Sequence, residues 1–83
     1  MKYFAVRDKA IGAFMPMFAA KTRALAIRMV EDAARDSNGQ FAKHLADYSF
    51  FELGEFDEDS GSFTAPDGGP QLIVQLFEFA KPE

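Results

Sequence analysis

Eighty-three residues with no cysteine, one histidine and a net charge of −4 exclude a disulfide-stapled scaffold, a Cys-based zinc site and a His-rich metal site. At this length a single domain, residues 1–83, buries only about 60–65% of the surface its unfolded chain exposes, so its stability margin is thin. Hydrophobic residues make up 48% of the chain and ten residues are Phe, which is too apolar for a disordered acidic tail.

Tyr3 to Arg7 alternates around Phe4 and Val6 and predicts a first strand, followed by a turn through Asp8, Lys9 and Gly12. Phe14, Met15, Met17 and Phe18 surround Pro16, which cannot donate to a ladder, so this stretch is expected to be extended and not helical. Thr22 is the expected N-cap of a helix whose Leu25, Met29 and Ala33, with Ala26, Val30 and Ala34 beside them, fall at helical spacing. Asn38-Gly39 is expected to close it.

Asp47 to Asp57 reads as a strand with Phe51, Leu53 and Phe56 inside, a pattern that requires a bulge at Gly54. Asp57 to Gly61 predicts a hairpin turn into Ser62-Phe63-Thr64, and residues 65–70 an exposed loop. Gln71 to Ala80 reads as one long strand, with Leu72, Val74 and Leu76 on one face and Ile73, Phe77 and Phe79 on the other. One helix covers only one face of a sheet, so the second apolar face needs a second copy, stacked bases or a fold-back of the Phe14–Phe18 segment. The expected fold is therefore α+β: a small antiparallel sheet of about four strands packed on one α-helix and completed by homo-oligomerisation.

Charge is unevenly placed, with a net of +4 over residues 1–43 and −8 over residues 44–83. Such polarity fits a basic nucleic-acid face or head-to-tail self-association. Lys21 and Arg23 flank the Thr22 cap, where the helix dipole disfavours a cation by roughly 0.3–1 kcal/mol unless an anion is bound. Backbone N–H groups, the Thr22 hydroxyl and these two cations are thus a candidate phosphate site. Arg28 and Arg35 lie on the same stripe as Lys21, but Glu31 and Asp32 are spaced to pair with them and make it a solvated face.

Catalytic chemistry is not expected. His44 has Ser49, Ser60 and Ser62 as possible partners without a Gly-x-Ser-x-Gly elbow, and neither phosphate-loop nor dinucleotide glycine pattern occurs. The acidic turn from Asp57 lacks EF-hand spacing, its glycine coming four residues after Asp57. Glu52 and Glu55 are of the type that holds a nuclease magnesium ion, but spacing alone supplies no geometry, and no metal or cofactor is expected. No run of 18 apolar residues occurs, and charge returns at Arg7 too soon for a signal peptide, so a soluble intracellular protein without membrane association is expected.

The ordered set Ala26-Ile27-Arg28, Asp32, Phe41, Lys43-His44, Asp47-Tyr48-Ser49, Glu52-Leu53-Gly54, Phe56-Asp57 and Gly61 resembles the small nonstructural protein of gokushoviruses, single-stranded DNA phages of the Microviridae. Leu45 follows His44 where that family's pattern has proline. The resemblance implies a viral protein of the infected bacterium's cytoplasm, absent from the mature virion, acting in genome replication or packaging, with DNA binding proposed. Under it the expected activity is single-stranded DNA binding by a homo-oligomer. The candidate contacts are Lys21, Thr22, Arg23, Arg7, Lys43 and His44 for phosphates, and Tyr3 and Tyr48 for stacking. The alternative is a non-enzymatic protein-interaction module that regulates the replication machinery or the procapsid, with viral or host replication or packaging proteins as partners.

Overall fold

The computed structural model describes residues 1–80. Phe4 and Val6 alternate with Tyr3, Ala5 and Arg7 along β1 (Lys2–Asp8), the strand around which the molecule is built. After a turn with Gly12 at φ 70°, the chain returns antiparallel beside β1 as β2 (Ala13–Phe14) and β3 (Phe18–Ala20). Met15-Pro16-Met17 interrupts that row, as a residue without an N–H donor must.

Helix α1 (Arg23–Arg35) starts at Thr22, whose Oγ1 accepts the Leu25 N–H at 3.1 Å. It ends with Asp36, three residues before the expected glycine. The Asp36 carboxylate takes the Asn38 N–H and its carbonyl takes the Gly39 N–H, so Gly39 belongs to the turn beyond the helix. A 3₁₀ turn, Leu45–Asp47, then feeds β4 (Tyr48–Asp57), which pairs with β1 on one side and with β5 (Ser62–Thr64) and β6 (Gln71–Gln75) on the other.

The six strands thus lie in four rows, β2 with β3, then β1, then β4, then β5 with β6, all antiparallel and curled into a half-barrel. The expected row count is met, but two rows are broken in the middle. The bulge expected at Gly54 is present: Tyr3 faces Gly54 while Phe4 faces Glu52, leaving Leu53 as the extra residue.

Two expectations are corrected. Phe50, not Phe51, is the inward residue of β4, because Phe50 pairs with Val6 and Phe51 with Ala5. The last strand stops at Gln75 and turns into a 3₁₀ segment, Leu76–Phe79, that drives Leu76 fully into the core. A helical turn changes side-chain direction every residue, which is why a two-faced strand pattern appeared there.

The core lies between α1 and one face of the sheet. Phe4, Phe18 and Phe50 form a cluster with ring centroids 5.7–6.1 Å apart. The helix meets them with Ala26, Val30 and Ala34, small residues that let it approach closely, while Leu25 and Met29 stay about half exposed.

Candidate functional site

The eight residues singled out in the sequence fall in three separate places. β1 spans about 20 Å at 3.3 Å per residue. Its Lys2 end lies beside Ala20, just before α1, and its Asp8 end beside Tyr48.

At the Lys2 end, Lys21 and Thr22 are exposed and Arg23 is half-buried. Arg23 is committed to the fold. Its Nε and Nη2 donate to Glu52 Oε1 at 3.0 and 2.9 Å, and Nη2 also donates to Gln71 at 2.9 Å. Glu52 points to the helix side because it pairs with Phe4, so this ion pair fastens the helix start to β4 and β6. A cleft of about 900 Å³ opens alongside, lined by Lys21 and by Glu52, Glu55, Asp57, Glu58 and Asp59. The Asp59 backbone N–H, then the Ser60 side chain, hold the Asp57 carboxyl below the usual carboxylate range, so it remains charged. Two ammonium groups, Lys21 and the Met1 N-terminus, among five carboxylates make a poor attractor for phosphate.

At the Asp8 end, Lys43 and His44 are exposed in the turn before the Leu45–Asp47 segment. Tyr48 is partly buried, its ring against Phe41 at 4.8 Å between centroids, and packs on the core. It is not available as a flat stacking platform. Leu45 occupies the first position of a 3₁₀ turn, where a proline would also fit.

The third place is the sheet face that α1 does not cover. Tyr3, Ala5 and Arg7 of β1 point there, opposite Phe4 and Val6. The Arg7 guanidinium carbon lies 5.9 Å from the Phe14 ring centroid, and Phe14 meets Phe51 edge-on at 5.3 Å. Tyr3 lies 6.1 Å from Phe63, whose ring closes over Gly54. Leu72, paired with Phe51, extends the surface, and Phe14, Phe63 and Leu72 are 42–49% exposed. The Phe14–Phe18 segment does not fold over this face: it is an edge row of the same sheet, with Phe14 outward and Phe18 inward.

The strand carboxylates are segregated from it. Glu52 pairs with Phe4 and Glu55 with Lys2, so both lie on the helix side, and Asp57 follows two residues on. Arg7 has no carboxylate within ion-pair range among the described residues. Lys9, at the same end, donates to Gln75 at 3.1 Å. Tyr3 and Arg7 of this face are among the residues singled out in the sequence, whereas Phe14, Phe51, Phe63 and Lys9 are not. The signal was available in the alternation of β1, since whatever pairs with Ala5 and Arg7 must share their face.

Among the described residues, no group of three or more His, Cys, Asp or Glu side chains is placed to hold a metal ion. No helix among them is long and apolar enough to cross a membrane. The family model for the phage ORF5 protein matches residues 1–79. No curated protein and no solved structure matches the chain.

Proposed function

The chain belongs to the phage ORF5 protein family, and from that premise we propose that it binds single-stranded DNA across the open face of its sheet. The observation that carries this reading is an uncovered face with Tyr3, Phe14, Phe51 and Phe63 on its surface, Arg7 among them, and the strand carboxylates turned to the opposite side. Aromatic faces stack on bases at about 1–3 kcal/mol per base regardless of sequence, while Arg7 and Lys9 meet the backbone. The resemblance to gokushovirus nonstructural proteins supports a DNA-replication or packaging role in the infected bacterium's cytoplasm. The protein acts there as a homo-oligomer and carries out no reaction.

The helix start contributes less than its sequence promised, because Arg23 is neutralised by Glu52 and Lys21 borders the acidic cleft. That cleft favours the second reading, in which the protein contacts a basic protein partner of the replication or packaging machinery. Intrinsic fluorescence separates the two, since the chain has two tyrosines and no tryptophan. Stacking on Tyr3 quenches its emission as oligothymidylate is added, and a Tyr3→Leu variant loses that quenching. Unchanged tyrosine emission in the wild type at saturating oligonucleotide would rule out base stacking on this face.

A further inference from the structure

Residues 10–20, Ala10 to Ala20, contain no charged side chain, yet they form the outermost row of the sheet. Edge strands are ordinarily guarded by charge, because unpaired backbone groups otherwise recruit another strand. The opposite edge strands, β5 and β6, are uncharged themselves but have carboxylates at both ends of β5. The β4–β5 hairpin carries Asp57, Glu58 and Asp59 at the turn, and Asp67 lies in the loop that joins β5 to β6.

The unguarded row does not stand alone. Beside it runs an apolar groove of about 360 Å³ between Met15, Pro16 and Phe18 on one side and Met29, Val30 and Ala33 of α1 on the other. Leu25, one helical turn before Met29, is 45% exposed, and Met17 is 57% exposed. Two of the three large apolar side chains of the helix, Leu25 and Met29, therefore sit outside the core, on the flank that borders the free edge, while Ile27 packs against the core.

We infer that this flank is the interface between two copies of the chain, with β3 laid antiparallel to β3 of the partner and the Leu25–Met29 ridges meeting across the same two-fold axis. Charge chooses the occupant. A two-fold interface sets each patch against itself, so it tolerates an uncharged surface and rejects one of single sign. This edge is free of charge from Ala10 to Ala20, whereas the carboxylates flanking β5 would set the other edge against like charge in its own copy. Methionine and leucine supply side chains that repack against one another without a preformed hole. The open aromatic face is left free, and pairing at β3 continues it from one copy to the next. The inference deepens the homo-oligomer part of the proposed function and rests on it; it does not depend on DNA binding.

Sedimentation velocity of the full chain over about 1–100 μM, the range in which a modest interface assembles, tests it. The wild type is expected to sediment as a dimer, and Met29→Glu and Met17→Glu each as a monomer with an unchanged far-UV circular dichroism spectrum. Both positions are exposed, so their loss of association reads the interface and not the core. Phe63→Ser, on the open face, is expected to remain dimeric and to bind oligothymidylate more weakly. A monomeric wild type, or a dimer that survives both edge substitutions, overturns the interface. A dimer that dissociates with Phe63→Ser and not with Met29→Glu overturns it as well and places the contact on the aromatic face. Failure of DNA binding with a dimer dissociated by the edge substitutions overturns the DNA reading alone.

Discussion

Gly54 is the residue at which the sheet is least forgiving. Its φ is 154°, and a Cβ there would lie 2.5 Å from the Thr64 carbonyl oxygen and 2.6 Å from the Phe63 ring. Gly54→Ala is therefore expected to lose about 2–4 kcal/mol in urea unfolding, from backbone strain and a collision with main chain that cannot yield. Arg23 and Glu52 form a partly buried pair, with side-chain exposures of 41% and 13%. Because Arg23 keeps access to water, Glu52→Gln is expected to cost only about 1 kcal/mol by the same measurement. Asp57 titrates with its folded-state value depressed by the Asp59 N–H and the Ser60 side chain. Its contribution is present above the ordinary aspartate range and is lost as pH falls through the lower folded value. A carbon-detected NMR titration should place its midpoint below that of an unstructured aspartate, and a midpoint at or above it would remove the turn hydrogen bonds from the account.

At the scale of elements, the 3₁₀ segment Leu76–Phe79 does work that the sequence assigned to a strand. Gln75 N–H donates to Glu78 Oε2 at 3.0 Å, Arg35 Nε donates to the Phe79 carbonyl at 3.2 Å, and Leu76 is fully buried between them. Leu76→Ala is expected to destabilise the protein by about 2–5 kcal/mol, whereas Leu25→Ala on the exposed helix flank should stay within about 0.5 kcal/mol in the monomer. The elements most legible in the sequence were those marked by local chemistry: the Thr22 cap, the break at Pro16, the bulge at Gly54 and the hairpin at Gly61. Which face a residue occupies was less legible, because Phe50 and Phe51 are adjacent and only the β1 register decides between them. The segment after Gln75 was illegible for a related reason, since a short apolar run fits a strand and a helical turn equally well. The helix stripe could be read only as a period. That Ala26, Val30 and Ala34 face inward, while Leu25 and Met29 face outward, depends on how much room the three core phenyl rings leave.

Across the whole molecule, charge and apolar surface are sorted onto different sides. Glu52, Glu55, Asp57, Glu58 and Asp59 line the cleft beside the helix start, Tyr3, Phe14, Phe51 and Phe63 lie on the uncovered sheet face, and the uncharged row forms one edge. That sorting lets a chain of net charge −4 approach a polyanion through one face without presenting its carboxylates. It also limits how much of the affinity is electrostatic. With Arg7 and Lys9 as the principal cations, about two to four phosphates would be neutralised per dimer, giving a logarithmic salt slope of about −1.5 to −3 on a single strand. The most direct test is fluorescence anisotropy of a labelled single-stranded oligonucleotide titrated with the protein at low and near-physiological salt. Saturable binding with that shallow slope is expected, reduced by Arg7→Ala and abolished by the Phe14→Ala, Phe63→Ala double variant. No binding at tens of micromolar even at low salt, or binding indifferent to those substitutions, would contradict it.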